Sequence, residues 1–142
     1  AEIQPILTHR TQIREVNGDR AWSICREAAE QSERLTVPAV GNPVSLDDLI
    51  DVFPKDRLAI VCAELGEARP VHEALASAKN AAKAAVITGP EGGFAPEELE
   101  KLRQLPNALF VRLGPRILRA DTAAIAALTC WQAVHGDWKS IS

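Results

Sequence analysis

Residues 84–94 read Ala-Ala-Val-Ile-Thr-Gly-Pro-Glu-Gly-Gly-Phe. The opening AAVITG (84–89) has the continuous apolar pattern of a strand buried on both faces. The glycine-rich turn after it leads to Pro96, Glu97 and Glu98, which open a helix. Proline suits a first helical turn, and acids suit the positive end of the dipole. The same unit recurs on either side. LAIVCAEL (58–65) is a second apolar run, followed by a short helix over Val71–Ala78. ALFVRLG (108–114) is a third, and beyond a loop Thr122–Val134 forms a strongly apolar helix that Asp121 or Thr122 can cap. Strands alternating with helices predict an α/β fold with a mostly parallel sheet and flanking helices. Asn80 to Lys83 is the mobile spot expected in this half.

The first half is less regular. Ile3–Leu7 reads as a strand and Asp19–Ser32 as an amphipathic helix, with Trp22, Cys25, Ala28 and Ala29 at helical spacing. Pro38, Gly41 and Pro43 break the chain. Ser45 is the expected N-cap of a short helix, SLDDLIDVF, with Asp48 at its third position.

A chain of 142 residues, 46% hydrophobic and 25% charged, suits one domain with its own core. No run is long enough to span a membrane, and AEIQPILTH lacks the basic flank and apolar stretch of a signal peptide. The sequence contains no methionine, so a piece of a longer protein is expected. Cys25, Cys62 and Cys130 are widely spaced among apolar residues, without a CxxC pair or Cys/His cluster. They read as buried, reduced thiols of a cytoplasmic protein, and no metal is expected. The formal net charge of −3 argues against a self-sufficient RNA binder, because phosphate recognition favours basic surfaces.

Two loops stand out as candidates for chemistry, because open α/β sheets bind ligands at the carboxyl ends of their strands. The first is Thr88-Gly89-Pro90-Glu91-Gly92-Gly93-Phe94. Its glycines allow backbone to approach a ligand closely. It lacks the lysine and Ser/Thr of a P-loop and the GxGxxG spacing. Glu91 repels phosphate and favours a cationic or hydroxyl-bearing ligand, which describes S-adenosylmethionine. The second loop is Leu113-Gly114-Pro115-Arg116-Ile117-Leu118-Arg119-Ala120-Asp121-Thr122-Ala123. Ile117 and Leu118 are apolar in a polar setting and call for cover by a ligand, a partner or the loop itself. Arg116 and Arg119 suit a phosphate or a developing oxyanion.

Taken together, GPEGGF and LGPRILRADTA resemble the paired cofactor motifs of the bacterial 16S rRNA uridine-N3 methyltransferases, within the SPOUT superfamily of knotted methyltransferases. IQPILTHRTQ is similar to that family's Thr-x-Arg segment, and REAAEQSERLTVP to its Glu-Ala-x-Glu-Gln helix. The resemblance covers nearly the whole chain. It departs at Asp121, where the family has glutamate.

The resemblance implies that residues 1–142 form a single SPOUT-like domain with a C-terminal trefoil knot. Its first strand and helix and an upstream RNA-binding barrel would be lacking. It implies S-adenosylmethionine as methyl donor, N3 of a uridine in 16S rRNA of the small ribosomal subunit as acceptor, and a homodimer formed at the knot. The cofactor residues carried over are Thr88, Gly89, Pro90, Glu91, Gly92, Leu113, Gly114, Ile117, Leu118 and Arg119. Arg119 and Arg10 are the expected charge-stabilising groups near the base, with Glu91 and Gln31 as orienting groups and His9 as a further proton acceptor. Two other classes stay open: a non-catalytic RNA-binding or assembly module of the same fold, and a different α/β nucleotide-binding enzyme.

Overall fold

The computed structural model describes residues 1–12, 15–63, 67–78 and 82–139. Its elements, in chain order, are β1 (Glu2–Ile3), β2 (Ile6–Leu7), α1 (Gly18–Gln31), β3 (Ala39–Val40), β4 (Val44–Ser45), α2 (Leu46–Val52) and β5 (Leu58–Cys62). There follow β6 (Arg69–Pro70), α3 (Val71–Ser77), β7 (Ala84–Thr88), α4 (Pro96–Leu102), β8 (Ala108–Arg112) and α5 (Ala120–Val134). A 3-10 turn, Asp137–Lys139, closes the described chain.

The main sheet has the order β6-β8-β5-β7, and every pairing is parallel. β5 is central, with Cys62 opposite Thr88 on one side and Val111 on the other. Strand periodicity then divides its side chains. Ala59 and Val61 face a cluster with Leu46, Phe53, Leu102 and Leu105, from α2, α4 and their flanks. Leu58, Ile60 and Cys62 face a cluster with Leu75, Trp131 and Val134, from α3 and α5. Helices therefore cover both faces, the reason these strands read as unbroken apolar runs rather than alternating ones. The mostly parallel α/β expectation is met.

The first half departs from its reading. The expected strand Ile3–Leu7 is two short strands, parted at Gln4–Pro5, where proline brings no N–H to a ladder. The segment expected only to break the chain holds β3 and β4, which pair parallel with β1 and β2. Three residues, Gly41–Pro43, stand opposite the two of Gln4–Pro5, so the partner strand bulges. Gln4 Nε2 donates to Asn42 O (2.6 Å), tying the two breaks together.

Ser45 caps α2 as expected, accepting from Asp48 N at 3.0 Å, while its hydroxyl donates to Asp48 Oδ2 at 2.6 Å. The cap expected from Asp121 or Thr122 does not form. α5 begins at Ala120, its N-cap is Arg119, and no side chain caps it. The run 58–65 is strand only to Cys62, and residues 64–66 lie outside the described residues. β6 was not expected; its Pro70 sits at a sheet edge, where a missing N–H costs little. Of the expected mobile spot, residues 80 and 81 lie outside the described residues, and Lys83 pairs with Asp56 at 2.8 Å. No described helix is long and apolar enough to cross a membrane.

Ile60 has no exposed surface, whereas Val52 on α2 is 76% exposed. Ile60→Ala is expected to destabilise the fold by about 2–5 kcal/mol, the range for emptying a packed core position. Val52→Ala should stay within about 0.5 kcal/mol of the parent. Urea unfolding of both variants checks this, and equal midpoints would contradict the assigned core.

Candidate functional site

A cavity of about 360 Å³ opens where β5, β7 and β8 end. Its volume lies within the range of small-molecule sites. Parallel pairing puts the carboxyl ends of all three strands on one edge. From β5 the chain goes first to β6 at one edge, then crosses to β7 on the other side of β5, and returns to β8 between β6 and β5. Such a reversal leaves a crevice at the strand ends.

Both loops singled out in the sequence reach this cavity. Thr88, Gly89, Pro90, Glu91 and Gly92 form one wall. Leu113, Gly114, Ile117 and Leu118 form another, and Ile117 is 77% exposed at the rim. Gly93 N donates to Pro90 O at 2.8 Å, closing the first loop into a turn, with Gly93 at φ +67° and so in the left-handed region. Gly92 is glycine for another reason. A Cβ there would stand 3.1 Å from Arg10 Cδ, so its absence leaves room for the arginine stem.

Arg10 comes from the far end of the chain. It lines the cavity, and its Nη1 donates to the carbonyl of Gly92. The turn that carries it is closed by Thr11 N donating to Thr8 O (3.1 Å) and Thr8 N donating to Thr11 Oγ1 (3.0 Å). Of the four residues expected in catalysis, Arg10 and Glu91 thus share the cavity wall. Arg119 and Gln31 are not among the residues that line it. Arg119, the N-cap residue of α5, is exposed, with its Nε 3.7 Å from Asp121 Oδ1. Gln31 is exposed at the last position of α1. His9 is exposed, and its backbone N–H donates to Glu98 Oε1 at 2.7 Å.

The wall also holds residues outside the expected cofactor and catalytic sets, of which Phe94 and Arg116 lie in the two loops already singled out. Cys62 ends the central strand and Ala63 follows it, Phe94 and Leu99 also line the cavity, and Arg112 and Arg116 are exposed guanidinium-bearing positions on the wall. Cys62 and Arg112 were within reach of the rule that ligands sit at strand ends. Leu99 was not, because only packing brings a helix side chain to a strand terminus.

Asp121 is held below the usual carboxylate range by the N–H of Thr122, which donates at 2.7 Å, and further by the Arg119 guanidinium. Burial pushes the Cys62 thiol up to about 12. The three cysteines are free and half-buried, less covered than the sequence suggested. Among the described residues no cluster of His, Cys, Asp and Glu could hold a metal ion.

The profile of a family described as RNA methyltransferase domain matches residues 1–132. The ribosomal RNA small subunit methyltransferase E of Rickettsia conorii is 35% identical over 127 residues, covering 89% of this chain and 51% of that protein. Its Synechocystis namesake is 35% identical over 128 residues, covering 88% of this chain and 42% of that protein. Among solved structures, the ribosomal RNA small subunit methyltransferase E of Neisseria gonorrhoeae, bound to S-adenosyl methionine, matches with a TM-score of 0.84 and 29% identity. That match covers 96% of this chain and 56% of the other. A Legionella pneumophila protein in complex with the bound cofactor SAM matches with a TM-score of 0.78 and 32% identity, over 94% of this chain and 55% of the other. The chain spans about half the length of the curated relatives it matches.

A thiol whose pKa is raised stays protonated, and only the thiolate is a good nucleophile. At pH 8 Cys62 should therefore alkylate at least about tenfold more slowly in the folded chain than in the urea-unfolded chain, where its pKa is ordinary. Mass spectrometry after timed iodoacetamide exposure reads the rate at each cysteine. Equal folded and unfolded rates at Cys62 would contradict its burial in the cavity wall.

Proposed function

The chain belongs to the RNA methyltransferase domain family, and from that membership we propose that it carries out S-adenosylmethionine-dependent methylation of N3 of a uridine in 16S ribosomal RNA. One observation carries the reading: the two glycine-bearing loops, remote in sequence, face each other across one cavity at the strand ends. The wall chemistry fits the cofactor. The loop lacks a P-loop lysine, and Glu91 suits a ligand with cationic and hydroxyl groups better than a phosphate. Thr88 to Gly92 with Leu113, Gly114, Ile117 and Leu118 would hold it, the glycines through backbone and the two aliphatic side chains through apolar contact. The proposal includes the knotted topology, with one SPOUT-like domain over residues 1–142 and an RNA-binding part supplied elsewhere in a longer protein.

Bound in that pocket, S-adenosylmethionine supplies an electrophilic methyl group on a sulfonium. Uridine N3 is a nucleophile only while its proton is leaving, and negative charge then spreads onto the two ring carbonyl oxygens. A guanidinium fixed near those oxygens lowers the barrier. Arg10 has the position for this, on the cavity wall and anchored on Gly92 O. Glu91 is the proposed orienting group for the ligand. Arg119, exposed beside Asp121, suits a phosphate contact better than a contact with the base. Gln31, exposed on α1, is proposed only as a contact to RNA.

RNA grip must be local, because the net charge is −3. Arg10, Arg112 and Arg116 all stand on the cavity wall, so the mouth is basic on an acidic chain. Salt-sensitive, weak RNA binding by the chain alone follows. The proposal also includes a cytoplasmic homodimer. Ile125 and Leu128 of α5 are 67% and 49% exposed, an apolar strip on a helix whose other side already packs on the sheet.

Calorimetric titration with S-adenosylhomocysteine, NAD and ATP tests the cofactor. Only S-adenosylhomocysteine should bind, and Gly92→Val should weaken it by pushing the Arg10 stem off the loop. Preference for NAD or ATP would point to another nucleotide-binding enzyme, and no binding at all to a non-catalytic module.

Turnover on small ribosomal subunits, with RNA and cofactor saturating, separates the arginines. Arg10→Ala should lower the rate about 10²-fold, the effect of removing one preorganised charge donor. Arg119→Ala should stay within about fivefold while weakening RNA affinity. The reverse pattern would return the catalytic role to Arg119.

A further inference from the structure

Glu98 is a charged side chain almost wholly removed from solvent, 9% exposed, among surface-seeking neighbours on α4. Its two carboxylate oxygens serve different parts of the chain. Oε2 accepts from Ala95 N at 2.8 Å, closing the end of the GPEGGF loop onto the first turn of α4. Oε1 accepts from His9 N at 2.7 Å, across most of the sequence. His9 is the residue before Arg10, and Arg10 in turn donates to Gly92 O in the same GPEGGF loop. The result is a closed circuit: loop to Glu98, Glu98 to the 8–11 turn, Arg10 back to the loop.

Helix capping alone does not account for this arrangement. A residue at the third helical position accepting from the N-cap N–H is half of a capping box, and it commonly sits at the surface. Here the N-cap is Ala95, which offers no side-chain acceptor in return. The second oxygen instead holds a backbone N–H from the turn that follows β2, a strand outside the main sheet. A buried carboxylate costs free energy unless it is hydrogen-bonded. Among the described residues, both its partners are N–H groups of the two segments that meet at Arg10.

We infer that Glu98 is a positioning residue that clamps the Thr8–Thr11 turn to the GPEGGF loop and so sets where the Arg10 guanidinium stands in the cavity. The clamp is a matter of geometry. Its consequence for ligand binding rests on the function proposed above.

Glu98→Gln separates the clamp from the cap. A carboxamide has one acceptor oxygen, which can serve Ala95 N, while its NH₂ end would face the His9 N–H, donor against donor. Hydrogen exchange of the ligand-free chain, read by mass spectrometry, is the first arm. Peptides covering 8–11 and 89–95 should both exchange faster in the variant, while β5 keeps its protection. Unchanged exchange at 8–11 would overturn the clamp. The second arm is S-adenosylhomocysteine affinity for wild type, Glu98→Gln, Arg10→Ala and the double variant. Each single change should weaken binding roughly tenfold, as for loss of a hydrogen bond to a charged group. The double variant should be weakened to about the same degree, because both changes break one circuit. Losses that multiply would assign Glu98 an ordinary structural role. If wild type binds no S-adenosylhomocysteine, the proposed function falls and hydrogen exchange alone judges the clamp. Should Glu98→Gln not fold, Glu98→Asp, too short to reach both N–H groups, replaces it in both arms.

Discussion

Everything in this domain depends on β5 being paired on both edges and covered on both faces. Its interior residues Ala59, Ile60 and Val61 have no exposed surface, so their backbone groups can be satisfied only by neighbouring strands. Both neighbours are parallel, and parallel neighbours need long crossovers, which become the helices on either face. A second consequence is directional. All the strands finish on the same edge, so the loops after β7 and β8 meet there whatever their separation in sequence. The cavity follows from strand direction and sheet order, and the loop residues then decide what it can hold.

The second layer of order is the attachment of the N-terminal segment. β1 to β4 are two-residue strands in two small parallel pairs, too short to be stable alone. What brings this part to the cavity is packing of Ile6 and α2 against the main core, together with the buried carboxylate of Glu98. One hydrogen-bonded charge in an apolar setting gives a directional attachment that aliphatic contacts lack. Hydrophobic packing sets how close two segments come, and a carboxylate with two N–H partners sets their register.

Charge works here on two scales. The chain as a whole is acidic, yet the guanidiniums of Arg10, Arg112 and Arg116 gather at one opening. Over distances beyond about 8–10 Å in physiological salt the remote acids are screened, and the field at the mouth is that of its own residues. Net charge therefore argues against a large phosphate-binding surface and leaves room for a small one. Asp121 shows the same locality: the N–H of Thr122, immediately beside it, governs its proton affinity.

The α/β class and the main elements of the second half were legible in the sequence, because buried parallel strands leave unbroken apolar runs and their loops carry glycine and proline. So were the two loops that became cavity walls. Strands of two residues leave no periodicity, so β1 to β4 and the edge strand β6 were misread or missed. The expected Asp121 cap failed because α5 starts at Ala120, two residues before the start that cap requires, which leaves Asp121 inside the first turn. Local sequence located Arg10 in its Thr-x-Arg segment and Glu98 in a helical first turn, but nothing local could say that they act on one loop. A pattern along the chain records which side chains must be buried. Which buried groups meet is decided only when strand order and crossover direction bring remote segments together, and that is where Arg10 entered the cavity and Arg119 and Gln31 stayed outside its wall.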